Sequence, residues 1–341
     1  MSKFQRVVGV ASLAVVAGMA QVAVGQRIEA DFAVPSLDRW VYPFAGNGNE
    51  ASIPTFGAIR VPGFDDRDSQ LLVGFDTTGQ IPSGLALNQY RVESITVRAR
   101  VSVDEQFVYD SSWDSVTSLY DTADAEYVPD ADPGRPVEIF GAGFRNGWNA
   151  QTYQENSPFG GAPIVPPSEG ARNVFAATFD EAGTATDVSR QVRLRFDAAP
   201  MAVGQIAGVS EGALVPSGSV VEFQIPVCDP ATRAYVQRSL AAGKLLLVIS
   251  SLEATCQSCQ ASYPAFYSKE NSISQLLAAS LDLNVRVGSP ADFDGDGFIT
   301  GLDFDQFVMA FEAGETTADF DQDCFITGLD FDAFVAAFEN G

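Results

Sequence analysis

Carboxylates recur at a fixed spacing close to the C-terminal end of the sequence. Residues 292–312 read DFDGDGFITGLDFDQFVMAFE, and residues 319–339 repeat them as DFDQDCFITGLDFDAFVAAFE. Each copy begins with a twelve-residue segment that has aspartate at positions 1, 3, 5 and 12 and threonine at position 9. A hard cation with six to eight oxygen ligands suits this pattern, in which alternate short carboxylates precede a turn that returns position 12 to the ion.

The spacing therefore predicts two calcium sites, one in each copy. In both sites the residue at position 7 would contribute its backbone carbonyl. The predicted ligands of the first site are Asp292, Asp294, Asp296, Phe298, Thr300 and Asp303. The predicted ligands of the second site are Asp319, Asp321, Asp323, Phe325, Thr327 and Asp330. The alternative is a pair of acidic turns that only cap helices, but four carboxylates in each loop would then repel one another.

Position 6 distinguishes the two predicted sites. It is Gly297 in the first loop and Cys324 in the second. This position makes a sharp turn, usually with a positive φ, and a residue with a Cβ costs about 1–2 kcal/mol there. We therefore expect the second site to bind calcium about 5–30-fold more weakly than the first.

The residues after each loop change to a helical period. Phe304, Phe307, Val308 and Phe311 are spaced so that they lie on one face of a short helix, and the second copy repeats this spacing. The two apolar faces are expected to pack together. A unit this small has little apolar surface to bury, so its folding should depend on the metal.

A full EF-hand has a helix before each loop, and this sequence leaves no room for one. A strand-like run at 281–287 precedes the first loop, and only residues 313–318 separate the first helix from the second loop. A duplicated loop with an exiting helix alone resembles a type I dockerin, and more closely the GC-type dockerin that anchors some bacterial surface proteins. The resemblance covers residues 289–341. It implies that the aspartates at positions 1, 3, 5 and 12 of each loop hold calcium.

The resemblance also implies a protein partner. Dockerins bind cohesin modules on scaffolds or cell surfaces, and loop positions 10 and 11, often Ser-Thr, help to recognise the partner. Here these positions are Gly301-Leu302 and Gly328-Leu329, which argues against a cellulosome-type cohesin. We therefore expect a cohesin-like or other surface or scaffold protein to bind at these residues. The alternative is that they only shape the loops.

Composition excludes several classes of function. The 341 residues carry a formal net charge of −24 and include no histidine. A negative field of this size repels phosphate backbones, so we expect no nucleic-acid partner. Without histidine the chain cannot use Ser-His-Asp or Cys-His catalysis or His-ligated zinc. Chemistry based on a pair of carboxylates remains open.

The first 25 residues have the pattern of an export signal. Lys3 and Arg6 precede an uncharged apolar run at 7–20, and small residues at 23–25 supply a cleavage site, with Ala20 as a second candidate. The run is shorter than the roughly 20 residues of a membrane-spanning helix, although a permanent N-terminal anchor is the alternative. We expect a secreted or cell-surface protein that is not inserted in a membrane after cleavage.

Residues 26–288 are expected to form a jelly-roll-like β-sandwich with one inserted helix, followed by the small α-helical module at 289–341. Short runs of β-favouring residues alternate with Gly, Pro, Asn and Asp. The predicted strands are 70–75, 92–103, 137–140, 191–196, 219–226, 244–251 and 281–287. Asp229 and Gly243 are the expected caps of a helix at 231–242.

A second resemblance concerns the sandwich. The segments Leu71-Leu72-Val73-Gly74-Phe75-Asp76, Ile81-Pro82-Ser83-Gly84 and 92–101 are similar to the opening of DNRLRE-type sandwiches, and Phe266-Tyr267-Ser268-Lys269-Glu270 is similar to their end. These are jelly-roll modules of secreted and surface proteins, akin to some carbohydrate-binding modules. The resemblance implies a fold more than a function.

Three further groups in the sandwich could carry chemistry. The acidic stretch is either a solvated loop or a structural calcium site, and its members are Asp110, Asp114, Asp121, Asp124, Glu126, Asp130 and Asp132. A sugar-stacking platform or ordinary core packing would explain Trp40, Trp113, Trp148 and Tyr153. Four cysteines allow three pairings, among which Cys256 with Cys259 and Cys228 with Cys324 are the natural candidates.

These observations favour an exported, non-catalytic protein in which a calcium-folded dockerin anchors the sandwich to a surface or scaffold partner, with polysaccharide as a candidate ligand of the sandwich. The main alternative is a dockerin-borne polysaccharide-degrading enzyme, a glycoside hydrolase or lyase with a carboxylate pair in a groove. Calcium-mediated adhesion is a third interpretation.

Overall fold

The computed structural model describes residues 26–46, 48–160, 169–255 and 262–340. Within these residues the chain is mainly β, with fourteen strands and four α-helices. The strands are β1 (Gln26–Phe32), β2 (Leu37–Val41), β3 (Ser52–Pro54), β4 (Gln70–Asp76), β5 (Tyr90–Arg100), β6 (Val137–Phe144), β7 (Val174–Phe179), β8 (Ala185–Asp187), β9 (Ala202–Val203), β10 (Gln205–Ile206), β11 (Val220–Gln224), β12 (Lys244–Ser251), β13 (Ala265–Tyr267) and β14 (Ser280–Val287). The helices are α1 (Gln191–Leu194), α2 (Pro230–Ala242), α3 (Gly301–Ala313) and α4 (Gly328–Asn340).

Two antiparallel sheets pack face to face. The first has the order β1-β14-β5-β11-β10, and the second has the order β2-β4-β12-β6-β7-β8, with β9 beside β6. The main core lies between them because β4, β12 and β6 turn alternate apolar residues toward those of β5, β11 and β14. This sandwich-like architecture confirms the mainly-β prediction.

The second sheet is buried on both faces, which explains why β12 reads KLLLVISS without alternation. Leu245, Leu247 and Ile249 enter the main core, whereas Leu246 and Val248 enter a second core on the opposite face. A strand covered on both faces has no solvent side and therefore no need for polar residues at every second position.

The alternation of β5 is interrupted once. Its register against β14 shifts between Asn284 and Val285, because Asn284 lies opposite Ser94 and Val285 lies opposite Val92. The extra residue, Glu93, is a bulge that resets the inward phase. This bulge allows Val92 and Ile95, three positions apart, to be buried on the same side.

The predicted helix is confirmed as α2. The Asp229 side chain accepts a hydrogen bond from the Thr232 backbone N–H at 2.7 Å, Pro230 occupies the first turn, and Gly243 ends the helix with a φ of 79°. Tyr235, Val236 and Leu240 of α2 enter the main core. The helix therefore covers one end of the sandwich.

The strand predicted at 191–196 is wrong. Residues Gln191–Leu194 form the short helix α1, and Arg195 follows it in the left-handed region with a φ of 57°. The Asp66 carboxylate accepts bonds from the Arg193 backbone N–H at 2.9 Å and from its Nε at 3.0 Å. A partner distant in sequence therefore holds one helical turn in a segment whose local pattern alternates like a strand.

The two C-terminal helices pack through phenylalanine, as their spacing predicts. Phe307 of α3 and Phe334 of α4 are fully buried, and their rings stack with centroids 4.0 Å apart and planes 9° apart. Phe293 and Phe320, which follow the first aspartate of each loop, close this small core edge-on. Most of this core is phenylalanine, and among the described residues it contains none from the sandwich.

Two predictions fall outside the described residues. They are the export signal at 1–25 and the pairing of Cys256 with Cys259. Among the helices that the structure describes, none has the length and apolar character needed to cross a membrane.

Candidate metal centre

The first loop brings three of its four predicted aspartates together. Carboxylate oxygens of Asp292, Asp294 and Asp303 all lie within 4.8 Å of one another. Asp292 is 5% exposed and Asp303 is fully buried, so this negative charge is largely removed from water. Asp296, at position 5, does not join the group, and its Oδ1 accepts the Phe298 backbone N–H at 2.8 Å.

Backbone N–H groups hold the position-12 carboxylate in place. Oδ1 of Asp303 accepts from Phe293 at 2.8 Å and from Asp294 at 3.1 Å, and its Oδ2 accepts from Thr300 at 2.8 Å. Burial raises the pKa of Asp303, but these bonds outweigh it and keep the pKa below its usual value. Asp303 is also the third residue of α3, so the helix start fixes one wall of the loop.

The second loop repeats this geometry. Asp319, Asp321 and Asp330 lie within 4.8 Å of one another, and Asp330 is fully buried. Oδ1 of Asp330 accepts from Phe320 at 2.6 Å, and its Oδ2 accepts from Thr327 at 2.7 Å. Asp323, like Asp296 in the first loop, lies outside the group, and its Oδ1 accepts the Phe325 backbone N–H at 2.8 Å.

The position-1 carboxylate lies close to other carboxylates in both loops. Burial, as the largest cause, raises the pKa of Asp292 and of Asp319, and the neighbouring aspartates raise it further. Oδ1 of Asp319 is buried and has no hydrogen-bond partner among the described residues. These all-oxygen groups fit a hard cation, which in the second loop would supply the partner that Oδ1 of Asp319 lacks.

The threonines and phenylalanines have more than one possible role. Thr300 and Thr327 accept the backbone N–H of Leu302 and Leu329, so both hydroxyls cap a helix. The Phe298 ring is 71% exposed, as expected of a residue that would offer a ligand through its carbonyl and not through its side chain. Phe325 in the second loop is 69% exposed.

Cys324 adopts the conformation that its place in the loop predicts. Its φ is 69°, and that of Gly297 in the first loop is 93°. Cys324 forms a disulfide with Cys228, with the two Cα atoms 5.5 Å apart. This pairing selects one of the connectivities that the sequence left open, and it joins the second loop to the residues just before α2.

Arginines of the sandwich donate to carbonyls of both loops. Nη1 of Arg286 donates to the Phe293 carbonyl at 3.2 Å, and Nη2 of Arg91 donates to the Thr317 and Asp319 carbonyls. In the other direction, Nε2 of Gln322 in the second loop donates to the Val92 carbonyl of β5 at 2.9 Å. Residues 291–341 carry thirteen acidic residues and no lysine or arginine, so the basic groups that hold them must come from the sandwich.

The residues at loop positions 10 and 11 remain on the surface. Leu302 is 55% exposed and Leu329 is 66% exposed. A Cβ added to Gly301 or Gly328 would meet no atom within 4 Å, and neither residue has a positive φ. Packing and backbone conformation therefore do not require glycine at either position.

The three tryptophans do not form one platform. Trp148 packs edge-on against Tyr153, which is fully buried in the second core, whereas Trp113 is 42% exposed on the connection between β5 and β6. Trp40 stacks on Tyr42 with ring centroids 4.7 Å apart. Core packing therefore explains Trp148 and Tyr153.

A surface aromatic cluster, not anticipated from the sequence, extends outward from Trp40. Tyr42 contacts Phe44 and Phe56 edge-on, with centroids 5.5 Å apart in both pairs. The outer rings are those of Phe44, Phe64 and Tyr263, and Phe44 is 56% exposed. Its members come from separate segments, so only the aromatic content of residues 40–44 and 56–64 could have indicated it.

Asp38 of β2 belongs to a separate acidic group with Glu155 and Glu270. Asp38 is 1% exposed and accepts the Lys269 backbone N–H at 2.8 Å, while the Lys269 ammonium pairs with Glu155. Burial, followed by the adjacent Glu270 carboxyl, raises the pKa of Asp38 to about 7.

This shift predicts a pH dependence of stability. The folded chain keeps a proton on Asp38 that the unfolded chain releases, so the free energy of unfolding should fall as pH rises from about 4 to about 7. Asp38→Asn cannot ionise. Across this range we expect the free energy of unfolding of the variant to rise relative to that of the original chain. The difference should grow by a few kcal/mol in all, on the order of 1.4 kcal/mol per pH unit. Urea unfolding of both chains at the two ends of the range, with saturating calcium, measures the difference. A constant difference would contradict the prediction.

Comparison of the chain with protein-family models and with curated proteins finds no match.

Proposed function

We propose that the C-terminal repeat, residues 289–341, is a dockerin-type module that binds two calcium ions and anchors the β-sandwich to a cell-surface or scaffold partner of an exported protein. The observation that carries the proposal is the pair of matching carboxylate groups. In each, three aspartates at loop positions 1, 3 and 12 converge, and the position-12 aspartate is fully buried at the start of a helix.

The surface of the module supports a role in binding a protein. Leu302 and Leu329 occupy equivalent positions of the two copies and are exposed. The adjacent Gly301 and Gly328 have room for a larger side chain, so the alternative in which these residues only shape the loops has no support from packing. Small residues beside an exposed leucine would let a partner's backbone approach closely, and the two copies offer equivalent surfaces.

Calcium titration of the full chain tests the metal sites. For the two C-terminal loops, we expect calorimetry to resolve two binding steps that differ by about 5–30-fold in affinity, since the Cβ of Cys324 costs about 1–2 kcal/mol at its positive φ. Asp319→Asn should remove the weaker step and Asp292→Asn the tighter one. Equal affinities would overturn the ranking of the sites, and loss of neither step in these variants would overturn the assignment of the ligands.

The sandwich is proposed as the displayed cargo, with polysaccharide as its candidate ligand. The alternation of its principal strands between the two sheets, in the orders β1-β14-β5-β11 and β4-β12-β6-β7, supports the jelly-roll arrangement. The surface aromatic cluster around Phe44 supplies exposed ring faces of the kind that stack on sugars.

The enzymatic alternative has one supporting observation. Asp76 and Glu155 line a single open cavity of about 670 Å³ beside α2. None of the residues that line this cavity is aromatic, so it lacks the stacking surface of the cluster around Phe44. A carboxylate pair in a groove is what glycoside hydrolysis needs.

A polysaccharide screen of the full chain distinguishes the two roles of the sandwich. Retention and released reducing ends are measured together, with calcium present. We expect retention without product, and weaker retention for Phe44→Ala but not for Trp113→Ala, an exposed aromatic outside the cluster. Product that disappears in Glu155→Gln would establish the enzyme instead.

A further inference from the structure

Four aspartates of the connection between β5 and β6 converge in the folded chain. Carboxylate oxygens of Asp110, Asp114, Asp130 and Asp132 all lie within 4.8 Å of one another, although up to 22 positions separate them in the sequence. The other acids of the same stretch lie elsewhere: Asp124 and Glu126 pair with Arg195, and Asp121 accepts the Ala123 backbone N–H. The fold therefore selects four of the seven acidic side chains.

Two carboxylate oxygens in this group are buried without a donor. Asp110 is 2% exposed, and its Oδ1 accepts from the Ser112 N–H at 2.8 Å, whereas its Oδ2 has no hydrogen-bond partner among the described residues. Oδ1 of Asp132 is likewise buried and unpartnered. A buried anionic oxygen without a donor is costly unless a cation meets it.

The only basic side chain that pairs with the group, among the described residues, is Arg135. Its Nη1 lies 2.6 Å from Oδ2 of Asp114 and 2.5 Å from Oδ2 of Asp130. One guanidinium opposes four carboxylates, and it does not reach the unpartnered oxygens of Asp110 and Asp132.

The backbone at Gly134 lies close to Asp110. Gly134 has a φ of 112°, and a Cβ at this position would lie 3.1 Å from the Cβ of Asp110 and 3.2 Å from the Val108 carbonyl. Any other residue there would be strained at this φ, and its neighbours would have to shift by a few tenths of an ångström. Glycine at 134 thus allows two acidic segments to meet, which would be unfavourable without a cation.

We infer that Asp110, Asp114, Asp130 and Asp132 form a divalent-cation site that binds calcium. The ion would hold together two parts of the connection between β5 and β6, and the site is separate from the two C-terminal loops. The donors are all carboxylate oxygens, which favours a hard cation over zinc or copper. An irregular set of four aspartates suits calcium, which tolerates variable geometry, better than magnesium, which demands an octahedron. With Arg135 included, a divalent ion reduces the excess negative charge of the group to a single unit.

Terbium, a luminescent substitute for calcium, can report this site alone. Trp113 is adjacent to Asp114 in the sequence, whereas residues 289–341 contain neither tryptophan nor tyrosine. Terbium is added to the full chain carrying Asp303→Asn and Asp330→Asn, which disables both C-terminal loops. We expect tryptophan-sensitised emission that calcium displaces, and calorimetry should give one calcium ion per chain.

Asp132→Asn is the decisive variant, because Asp132 makes no ion pair and is only partly buried. In the loop-disabled chain it should weaken calcium binding at least tenfold and abolish the sensitised emission. Asp121→Asn, which removes the same charge from an exposed position of the same connection, should change neither. Circular dichroism and thermal unfolding check that both variants fold.

The outcomes separate this site from the proposed function. No calcium binding in the loop-disabled chain, or binding that Asp132→Asn leaves intact, overturns the inference whatever the C-terminal loops do. Failure of the C-terminal sites would instead appear as equal calcium stoichiometry in the original and loop-disabled chains.

Discussion

Chelation of calcium should remove most of the helical circular dichroism of the chain while its β-sheet signal persists. α2, α3 and α4 each have thirteen residues, and two of these three helices belong to the C-terminal repeat. Without calcium, each loop would hold three aspartate carboxylates within 4.8 Å of one another. The small phenylalanine core must then offset both this repulsion and the entropy of ordering the repeat, and we expect it to be insufficient.

Substitutions at the proposed metal ligands give the matched comparison. Asp303→Asn with Asp330→Asn should show the reduced helical signal even at saturating calcium. Asp305→Asn with Asp332→Asn removes the same charge from exposed positions on the same helices and should leave the signal intact. A helical signal that survives chelation in the original chain would refute the requirement for metal.

Loss of the Cys228–Cys324 disulfide should lower the free energy of unfolding by about 5 kcal/mol, the expected entropy contribution of a bond that closes a loop of about 100 residues. The two cysteines are 96 positions apart, and within the described residues theirs is the sole disulfide between the second loop and the sandwich. Cys228→Ser also removes the tether of the second loop. In this variant the calcium affinity of the second loop should therefore fall more than the calcium affinity of the first loop. Guanidinium unfolding and calcium calorimetry under oxidising conditions measure the two effects.

Serine variants of the two cysteines, made singly and together, control for effects other than loss of the disulfide. Cys228→Ser, Cys324→Ser and the double variant should lose the same stability if the bond is what matters, because a pair that acts as a unit is strongly non-additive. Serine retains a Cβ at position 324, so the strain at its positive φ is preserved in this comparison. Full stability in Cys228→Ser would contradict the prediction.

Patterns within a few neighbouring residues predicted the helices α2, α3 and α4. The element predicted wrongly, the turn at 191–196, depends on a partner distant in sequence. The caps of α2 and the phenylalanine spacing of α3 and α4 depend on residues within one or two turns, so the sequence shows them directly. The turn at 191–196 depends on Asp66, more than a hundred residues away, and no local pattern encodes that bond.

The same contrast applies to the candidate sites. The C-terminal loops are continuous in sequence, so their ligand spacing could be recognised, although the placement of Asp296 and Asp323 outside the carboxylate groups could not. In the acidic stretch, the choice of Asp110 and Asp132 over Asp121 depends on how the connection folds back at Gly134. The partner of Cys324 depends on how the repeat lies against the sandwich, which composition does not specify.

The pairing of β1 with β14 constrains the order in which the protein can fold during synthesis. Gln26 lies opposite Val287 and Phe32 opposite Leu281, so the first of the described strands to be made is paired with the last of them. Until β14 emerges, β5 lacks one neighbour and β1 lacks its only one, and their apolar faces stay accessible to other chains. Contacts between such distant segments form slowly. The sandwich is therefore expected to close late and in one step, just before the two C-terminal loops, for which we propose calcium binding, emerge after β14.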